Sequence, residues 1–151
     1  MTESIALNRI LVAFDGSKDA VRAVRLACSF ARKFGSEISV VHVYSSPLIG
    51  FSAASGMPIP DYRDLEDAAK DTGQKVLFRG VQVASEAGVQ ARGELLQASS
   101  VVEALVDYAA KEHSDLIVVG TRGMTGFKKL ILGSVSSGLV SHSPCPVLVA
   151  R

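Results

Sequence analysis

Five short apolar runs rich in β-branched residues alternate with helical patterns along the whole chain. The runs are RILVAF at Arg9–Phe14, EISVVHVY at Glu37–Tyr44, GVQARG at Gly88–Gly93, DLIVVG at Asp115–Gly120 and PVLVA at Pro146–Ala150. Each is typical of a β-strand, and the run at Gly88–Gly93 is the weakest. Several lack the polar alternation of a strand with one face in water, which indicates strands covered on both faces, as in a parallel sheet.

Helical patterns fill the intervals, at Ser17–Phe34, Asp61–Ala87, Ser100–Glu112 and Ser134–His142. Gly35 is expected to end the first helix, and Pro144 follows the last one. The second helix is expected to bury a single face, while its glycines are expected to weaken it by about 1 kcal/mol each relative to alanine. That predicted face comprises Leu65, Ala69, Thr72, Val76, Val83 and Ala87, and the glycines are Gly73 and Gly80.

This order predicts an α/β fold: a doubly wound, five-stranded parallel sheet with helices on both faces, because crossovers between parallel strands are right-handed. With 151 residues, 48% of them hydrophobic and 21% charged, the chain fits one domain over residues 1–151. In such sheets a ligand binds beyond the carboxyl ends of the strands. The irregular segment Ser45–Pro60 is a candidate flap over that edge.

Charge and motif content exclude several function classes. The 16 basic and 15 acidic side chains give a net charge of +1, which disfavours nucleic acid as a partner. No signal-like segment and no apolar run of about 18 residues occurs, so no membrane association and a cytoplasmic location are expected. Cys28 and Cys145 form no CxxC motif, which disfavours a zinc site, and Cys28 is expected to be a buried structural thiol. Common phosphate-loop, dinucleotide, hydrolase and metalloprotease motifs are absent.

The segment from Gly120 to Ser136 begins where a strand ends and finishes where a helix begins. Gly120 and Gly123 permit close approach of a ligand or a positive φ. Residues 133–136 would present backbone N–H groups and hydroxyls at a helix N-terminus, which favours phosphate. The same features also suit ordinary turns, and Ser134 or Ser136 also suits a helix cap. The glycines alone leave both interpretations open.

The spacing Gly-x2-Gly-x9-Gly-Ser, met by Gly120, Gly123, Gly133 and Ser134, resembles the nucleotide motif of ATP-binding universal stress proteins. The resemblance covers nearly the whole chain, through RILVAFDGS, SVVHVY, DLIVVGTRG, LGSVS and SPCPVLV in that order. It implies a Rossmann-like, adenine-nucleotide α-hydrolase-like fold with strand order 3-2-1-4-5. It also implies a homodimer, and the apolar strand Pro146–Ala150, expected at a sheet edge, would supply the pairing surface.

The resemblance further implies which residues contact the nucleotide. Ala13 and Asp15 would meet the nucleoside, with the Asp15 carboxylate accepting hydrogen bonds from ribose hydroxyls. Many relatives have proline or valine where this chain has Ala13, which alters only the adenine wall. Val41 would offer backbone groups to adenine, and Gly120 would lie against the ribose. The residues implied around the phosphates are Arg122, Gly123, Gly133, Ser134, Val135 and Ser136.

Two of these assignments have structural alternatives. Asp15 precedes Gly16-Ser17 and also suits a turn into the first helix. Arg122 also suits a solvated loop position. His42 lies inside an apolar strand and is expected to be a hydrogen-bonded core residue rather than a base or a ligand.

The favoured function is an ATP-binding regulatory or stress-response module, with ADP and AMP as alternative ligands and Mg²⁺ expected from triphosphate chemistry. No metal ligand set is evident in the sequence. The alternative is a slow ATP hydrolase that uses the same loop. Because no catalytic base is identified, no catalytic residue is assigned and at most weak ATPase activity is expected. A nucleotide-independent interaction protein is a third hypothesis.

Overall fold

The computed structural model describes residues 4–46, 62–121 and 132–151. Within them, strands and helices alternate as the sequence predicts. The strands are β1 Arg9–Ala13, β2 Glu37–Tyr44, β3 Ala91–Gln97, β4 Leu116–Gly120 and β5 Val147–Ala150, and the helices are α1 Lys18–Phe34, α2 Tyr62–Glu86, α3 Val101–Lys111 and α4 Ser134–His142. All strand pairs are parallel and the order is β3-β2-β1-β4-β5, which confirms the predicted topology.

The central strands are buried on both faces. Ile10 and Val12 of β1 pack on the side covered by α1 and α2, whereas Leu11 and Ala13 pack on the side covered by α3 and α4. Because successive side chains of a strand point to opposite faces, each face takes every second residue. This two-sided burial explains why the strand carries no polar alternation.

Helix α1 has the termini that the sequence predicts, and one stripe of its residues is buried. The Ser17 side chain accepts a hydrogen bond from Ala20 N at 3.1 Å, and Gly35 at φ 72° ends the helix. Cys28 is fully buried in the stripe, as predicted, and burial raises the pKa of its thiol, partly offset by the positive charge of Arg32. The thiol is therefore held neutral inside the core.

The packing face of α2 matches the predicted one at Val76, Val83 and Ala87, which pack in the core, and differs from it elsewhere. Leu65 and Thr72 are exposed, whereas Gly73 and Gly80 are buried against the sheet. A Cβ on Gly80 would lie 2.8 Å from both Phe14 Cδ1 and Val40 Cγ1. The glycines therefore lie on the face of the helix that approaches the sheet, which a propensity argument does not reveal.

Strand β3 begins later than predicted. The prediction covered Gly88–Gly93, but the strand runs over Ala91–Gln97. Gly88 adopts φ 79° and closes α2, with a hydrogen bond from Val89 N to Ala84 O at 3.0 Å. The first three residues of the predicted strand thus belong to the helix terminus, a common use of glycine.

No helix of the described residues is long and apolar enough to cross a membrane. The segment Ser45–Pro60, predicted as a flap, lies outside the described residues from position 47 onwards.

The two buried glycines of α2 provide a matched test of the packing. Gly→Ala gains about 1 kcal/mol of helix propensity at either site. At Gly80 the new methyl would meet buried side chains at 2.8 Å, whereas at Gly73 its nearest contact is Leu95 Cδ1, a flexible chain end, at 3.1 Å. Since overpacking costs about 1–3 kcal/mol, we expect Gly80→Ala to lower the free energy of unfolding in urea and Gly73→Ala to leave it unchanged or raised. Equal effects of the two variants would contradict this packing.

Candidate functional site

The carboxyl end of β1 turns directly into α1 through Asp15. Asp15 is half-buried, and its Oδ1 accepts a hydrogen bond from Ser17 N at 2.9 Å. Gly16, at φ 85°, allows this tight turn. Within the described part of the chain this is the one hydrogen bond of Asp15, and it engages a single carboxylate oxygen. Asp15 therefore shapes the turn, and Oδ2 can accept from a ligand.

Ala13 and Val41 are neighbours in the sheet, but Val41 lies inside it. Val41 is paired with Ala13, the last residue of β1, and it is 1% exposed. Its carbonyl accepts a hydrogen bond from Phe14 N at 2.9 Å. Val43, two residues further along β2, lies past the end of β1 and is half-buried on the same face. Since backbone groups two residues apart point to the same side of a strand, Val43 turns its N–H and C=O toward the edge next to Asp15.

His42 holds the backbone just before Asp15. Its Nδ1 lies 2.8 Å from Phe14 O, and because a carbonyl oxygen only accepts, Nδ1 carries the proton. The side chain is half-buried. Its contact is that of a hydrogen-bonded sheet residue, as the sequence analysis expected, and it fixes the start of the Asp15 turn.

Gly120, at the end of β4, lies against the first turn of α1. A Cβ at this position would be 2.8 Å from Asp19 C and 3.0 Å from Ala20 N. Any side chain here would displace the helix backbone, so packing alone requires glycine at this position, independently of any ligand. The close approach also brings the end of β4 next to the Asp15 turn, so that the two predicted nucleoside contacts share one edge.

Helix α4 begins at the same edge, and its first amides have no acceptor among the residues that the structure describes. Its N-cap is Gly133, which supplies no capping side chain, and the first intrahelical bond runs from Ser137 N to Gly133 O at 2.9 Å. The amides of Ser134, Val135 and Ser136 precede that bond and have no acceptor within the helix. Together with the positive end of the helix dipole they form an anion seat, the name used below for these three amides.

The side chains of the anion seat are not equivalent. Ser134 is exposed, whereas Ser136 is 2% exposed and its hydroxyl lies 3.1 Å from Thr121 O and 3.0 Å from Gly133 O. The Ser136 hydroxyl therefore donates within the protein, and its backbone amide is the group left for a ligand. Thr121, which holds this arrangement, was missed by the sequence analysis; a buried threonine directly after a strand is too common a pattern to point to it.

Arg122 and Gly123, the other two residues predicted around the phosphates, lie outside the described residues, which resume at Leu132. The described residues contain no group of three His, Cys, Asp or Glu side chains that could hold a metal ion.

A polar depression lies at the opposite edge of the sheet, where the strands begin. Its lining includes Arg9, Glu37, Ser39, Arg92, Glu112 and Ser114. Hydrogen bonds to Tyr108 and Glu112 raise the pKa of the Arg92 guanidinium and fix it on α3. The depression has two cationic and two anionic side chains, so its charges are balanced. It is separated from the anion seat by the length of the strands.

The sequence and the fold both match one family. A model described as the universal stress protein family matches residues 6–151. The chain is 37% identical over 146 residues to a universal stress protein of Thermus aquaticus, covering 94% of this chain and 97% of the relative. It is 34% identical over 147 residues to the universal stress protein YxiE of Bacillus subtilis, covering 95% and 99%.

Solved structures share the fold. The universal stress protein UspA of Lactobacillus plantarum superposes with a TM-score of 0.77 at 24% identity, over 96% of this chain and 98% of that one. A universal stress protein of Archaeoglobus fulgidus in complex with dAMP gives 0.65 at 24% identity, over 97% and 99%. A family protein of Arabidopsis thaliana with AMP bound gives 0.65 at 21% identity, over 95% and 90%. With the family model matching nearly every residue, this chain belongs to the universal stress protein family.

Proposed function

We propose that this protein binds ATP at the carboxyl edge of its sheet and acts, as one domain over residues 1–151, as a nucleotide-dependent module of a cytoplasmic stress response. The observation that carries the proposal is the anion seat. Three amides without intrahelical acceptors lie together at the start of α4, at the same edge of the sheet as a carboxylate oxygen of Asp15 that has no protein donor in the described chain. One group suits a phosphate tail and the other a ribose diol.

The nucleoside would lie between the ends of β1, β2 and β4. Ala13 would line the adenine pocket, and Asp15 would accept from the ribose hydroxyls. The structure favours Val43 over Val41 as the source of backbone bonds to adenine, because the Val41 carbonyl already accepts Phe14 N. Gly120, against the first turn of α1, would let the ribose approach the backbone closely.

The phosphates would extend along the start of α4. The amides of Ser134, Val135 and Ser136 would donate to phosphate oxygens, with Gly133 adjoining them. Arg122 and Gly123 are proposed to complete the contacts from the preceding loop. Mg²⁺ would bind mainly to phosphate oxygens, as it commonly does with triphosphates. Solved relatives in complex with dAMP and AMP support an adenine nucleotide as the ligand class, and ADP or AMP in place of ATP is compatible with the same seat.

Calorimetric titration with ATP, AMP and GTP tests the proposal. We expect ATP to bind more tightly than AMP, because its additional phosphates would make further contacts with the anion seat, and more tightly than GTP, because the Val43 backbone would recognise adenine. Absence of ATP binding would refute the proposal and leave a nucleotide-independent interaction protein. Steady release of phosphate by the purified protein would instead establish the slow hydrolase.

A pair of substitutions at Ser134 separates the backbone donor from the hydroxyl. Ser134 is the first helical residue and Gly133 before it has φ −72° and ψ 170°, a conformation that proline accepts after it. Ser134→Pro therefore removes one amide donor without breaking α4, whereas Ser134→Ala keeps it. Losing a hydrogen bond to a charged group costs about 1.5–3 kcal/mol. We expect Ser134→Pro to weaken ATP binding about 10- to 100-fold and Ser134→Ala to change it much less. If both variants bind ATP like the unmodified protein, the amide of Ser134 does not donate to the phosphates.

We also propose that the protein forms a homodimer through β5. Among the described residues this strand lies at the end of the sheet and pairs only with β4. Bonds from Ile117 N to Pro146 O and from Thr121 N to Ala150 O show that residues 146 and 150 face β4. Val147 and Val149 therefore direct their backbone groups outward. An apolar edge with free donors and acceptors is a ready pairing surface for a second copy.

Val149→Pro tests the dimer, since it removes an outward N–H and leaves the β4 ladder intact. Val149→Ala loses comparable packing but keeps that N–H. By sedimentation velocity at micromolar concentration we expect dimer for the unmodified protein and for Val149→Ala, and monomer for Val149→Pro. An unmodified protein that sediments only as a monomer would end this part of the proposal.

A further inference from the structure

Thr121 uses all its backbone and side-chain polar groups to join two parts of the chain. Its backbone N and its Oγ1 both donate to Ala150 O, at 3.0 and 2.7 Å. Its carbonyl accepts from Gly133 N at 2.7 Å and lies 3.1 Å from the Ser136 hydroxyl. A single residue thus links the last residue of β5 to the first turn of α4.

These bonds determine where the anion seat lies. Thr121 follows the last residue of β4 and Gly133 precedes the first residue of α4, and the bond from Gly133 N to Thr121 O joins these two points. The Ser136 hydroxyl makes a second tie to the same carbonyl. The amides of residues 134–136 are therefore held relative to Gly120 and the Asp15 turn through the carbonyl of Thr121. Rotation of that carbonyl would move both the N-cap and the third seat residue.

Two bonds to Ala150 O hold the residue that carries this carbonyl. The bond from Thr121 N continues the β4–β5 ladder and holds the peptide that precedes the Thr121 Cα, whereas Thr121 O belongs to the peptide that follows it. The second bond, from Oγ1 to the same carbonyl, also fixes the side chain and so restrains rotation of Thr121 about its N–H bond. Thr121 is 7% exposed and Ala150 is 4% exposed, so water cannot readily replace the contact.

We propose that Thr121 is a positioning residue of the anion seat, and that through it β5 controls the affinity for the phosphate tail without touching the ligand. This inference rests on the proposed nucleotide function, because the quantity that Thr121 would control is the affinity for the nucleotide. It assigns a role to β5 that is separate from pairing with a second copy. The geometry that supports it is independent of any ligand.

Thr121→Val is the decisive variant, because valine has nearly the shape of threonine and lacks the hydroxyl. In this variant the backbone N–H of position 121 still donates to Ala150 O, so no buried acceptor loses its hydrogen bond. We therefore expect the fold to be retained. Thr121→Ser restores the hydroxyl. Ile117→Val, in the fully buried part of the same strand, lowers stability without touching the tie and serves as the control. We expect Thr121→Val to weaken ATP binding about tenfold, as for one lost buried hydrogen bond, and Thr121→Ser and Ile117→Val to bind within about twofold of the unmodified protein.

Two further readouts separate positioning from loss of stability. Adenosine, which lacks phosphates, should bind Thr121→Val and the unmodified protein equally. Amide hydrogen exchange of Gly133, whose N–H is bonded to Thr121 O, should accelerate in Thr121→Val about tenfold and should not in Ile117→Val. Unchanged ATP affinity together with unchanged Gly133 exchange would overturn the proposal. If the unmodified protein binds no ATP, the nucleotide function fails, while Gly133 exchange still decides whether Thr121 holds the start of α4.

Discussion

The parallel pairing of β1 with β2 and β4 is the constraint on which the rest of the structure depends. It requires a helix between successive strands, so both faces of the sheet are covered and the central strands are apolar on both sides. It also brings the carboxyl ends of all strands to one edge. The Asp15 turn, Gly120 and the start of α4 come from distant parts of the chain and meet there because each follows a strand or begins the next crossover.

Much of this architecture was predictable because the signals are local. Ser17 and Gly35 mark the two ends of α1, and the buried strands stand out as apolar runs. The errors arise where a residue's role depends on a distant neighbour. In the sequence Gly80 is only a poor helix former, and its packing role follows from Phe14 and Val40, which lie against it in the structure. Gly88 was assigned to a strand because its left-handed conformation, which closes α2, cannot be read from one residue type.

The candidate site shows the same division. Asp15, Gly120 and the segment Gly133–Ser136 were predicted from the resemblance, and the structure gathers them at one edge of the sheet. Val43 and Thr121 were missed. Val43 differs from Val41 only by lying past the end of β1, a matter of register between strands. Thr121 matters through Ala150, which is 29 positions away in sequence and unrelated to any glycine motif.

Recognition by backbone amides places the constraint on the residues that hold those amides in position rather than on side chains that would touch the ligand. Any side chain at Ser134 or Val135 leaves the amide in place, so those positions are free to vary in type, apart from proline. The restricted positions are the ones that hold the amides still. Gly120 admits no Cβ because α1 lies against it, Thr121 needs its hydroxyl for Ala150, and Ser136 needs its hydroxyl for Thr121. Such a site therefore depends on small residues of the surrounding fold that position the amides, and a search for charged or nucleophilic side chains would not detect it.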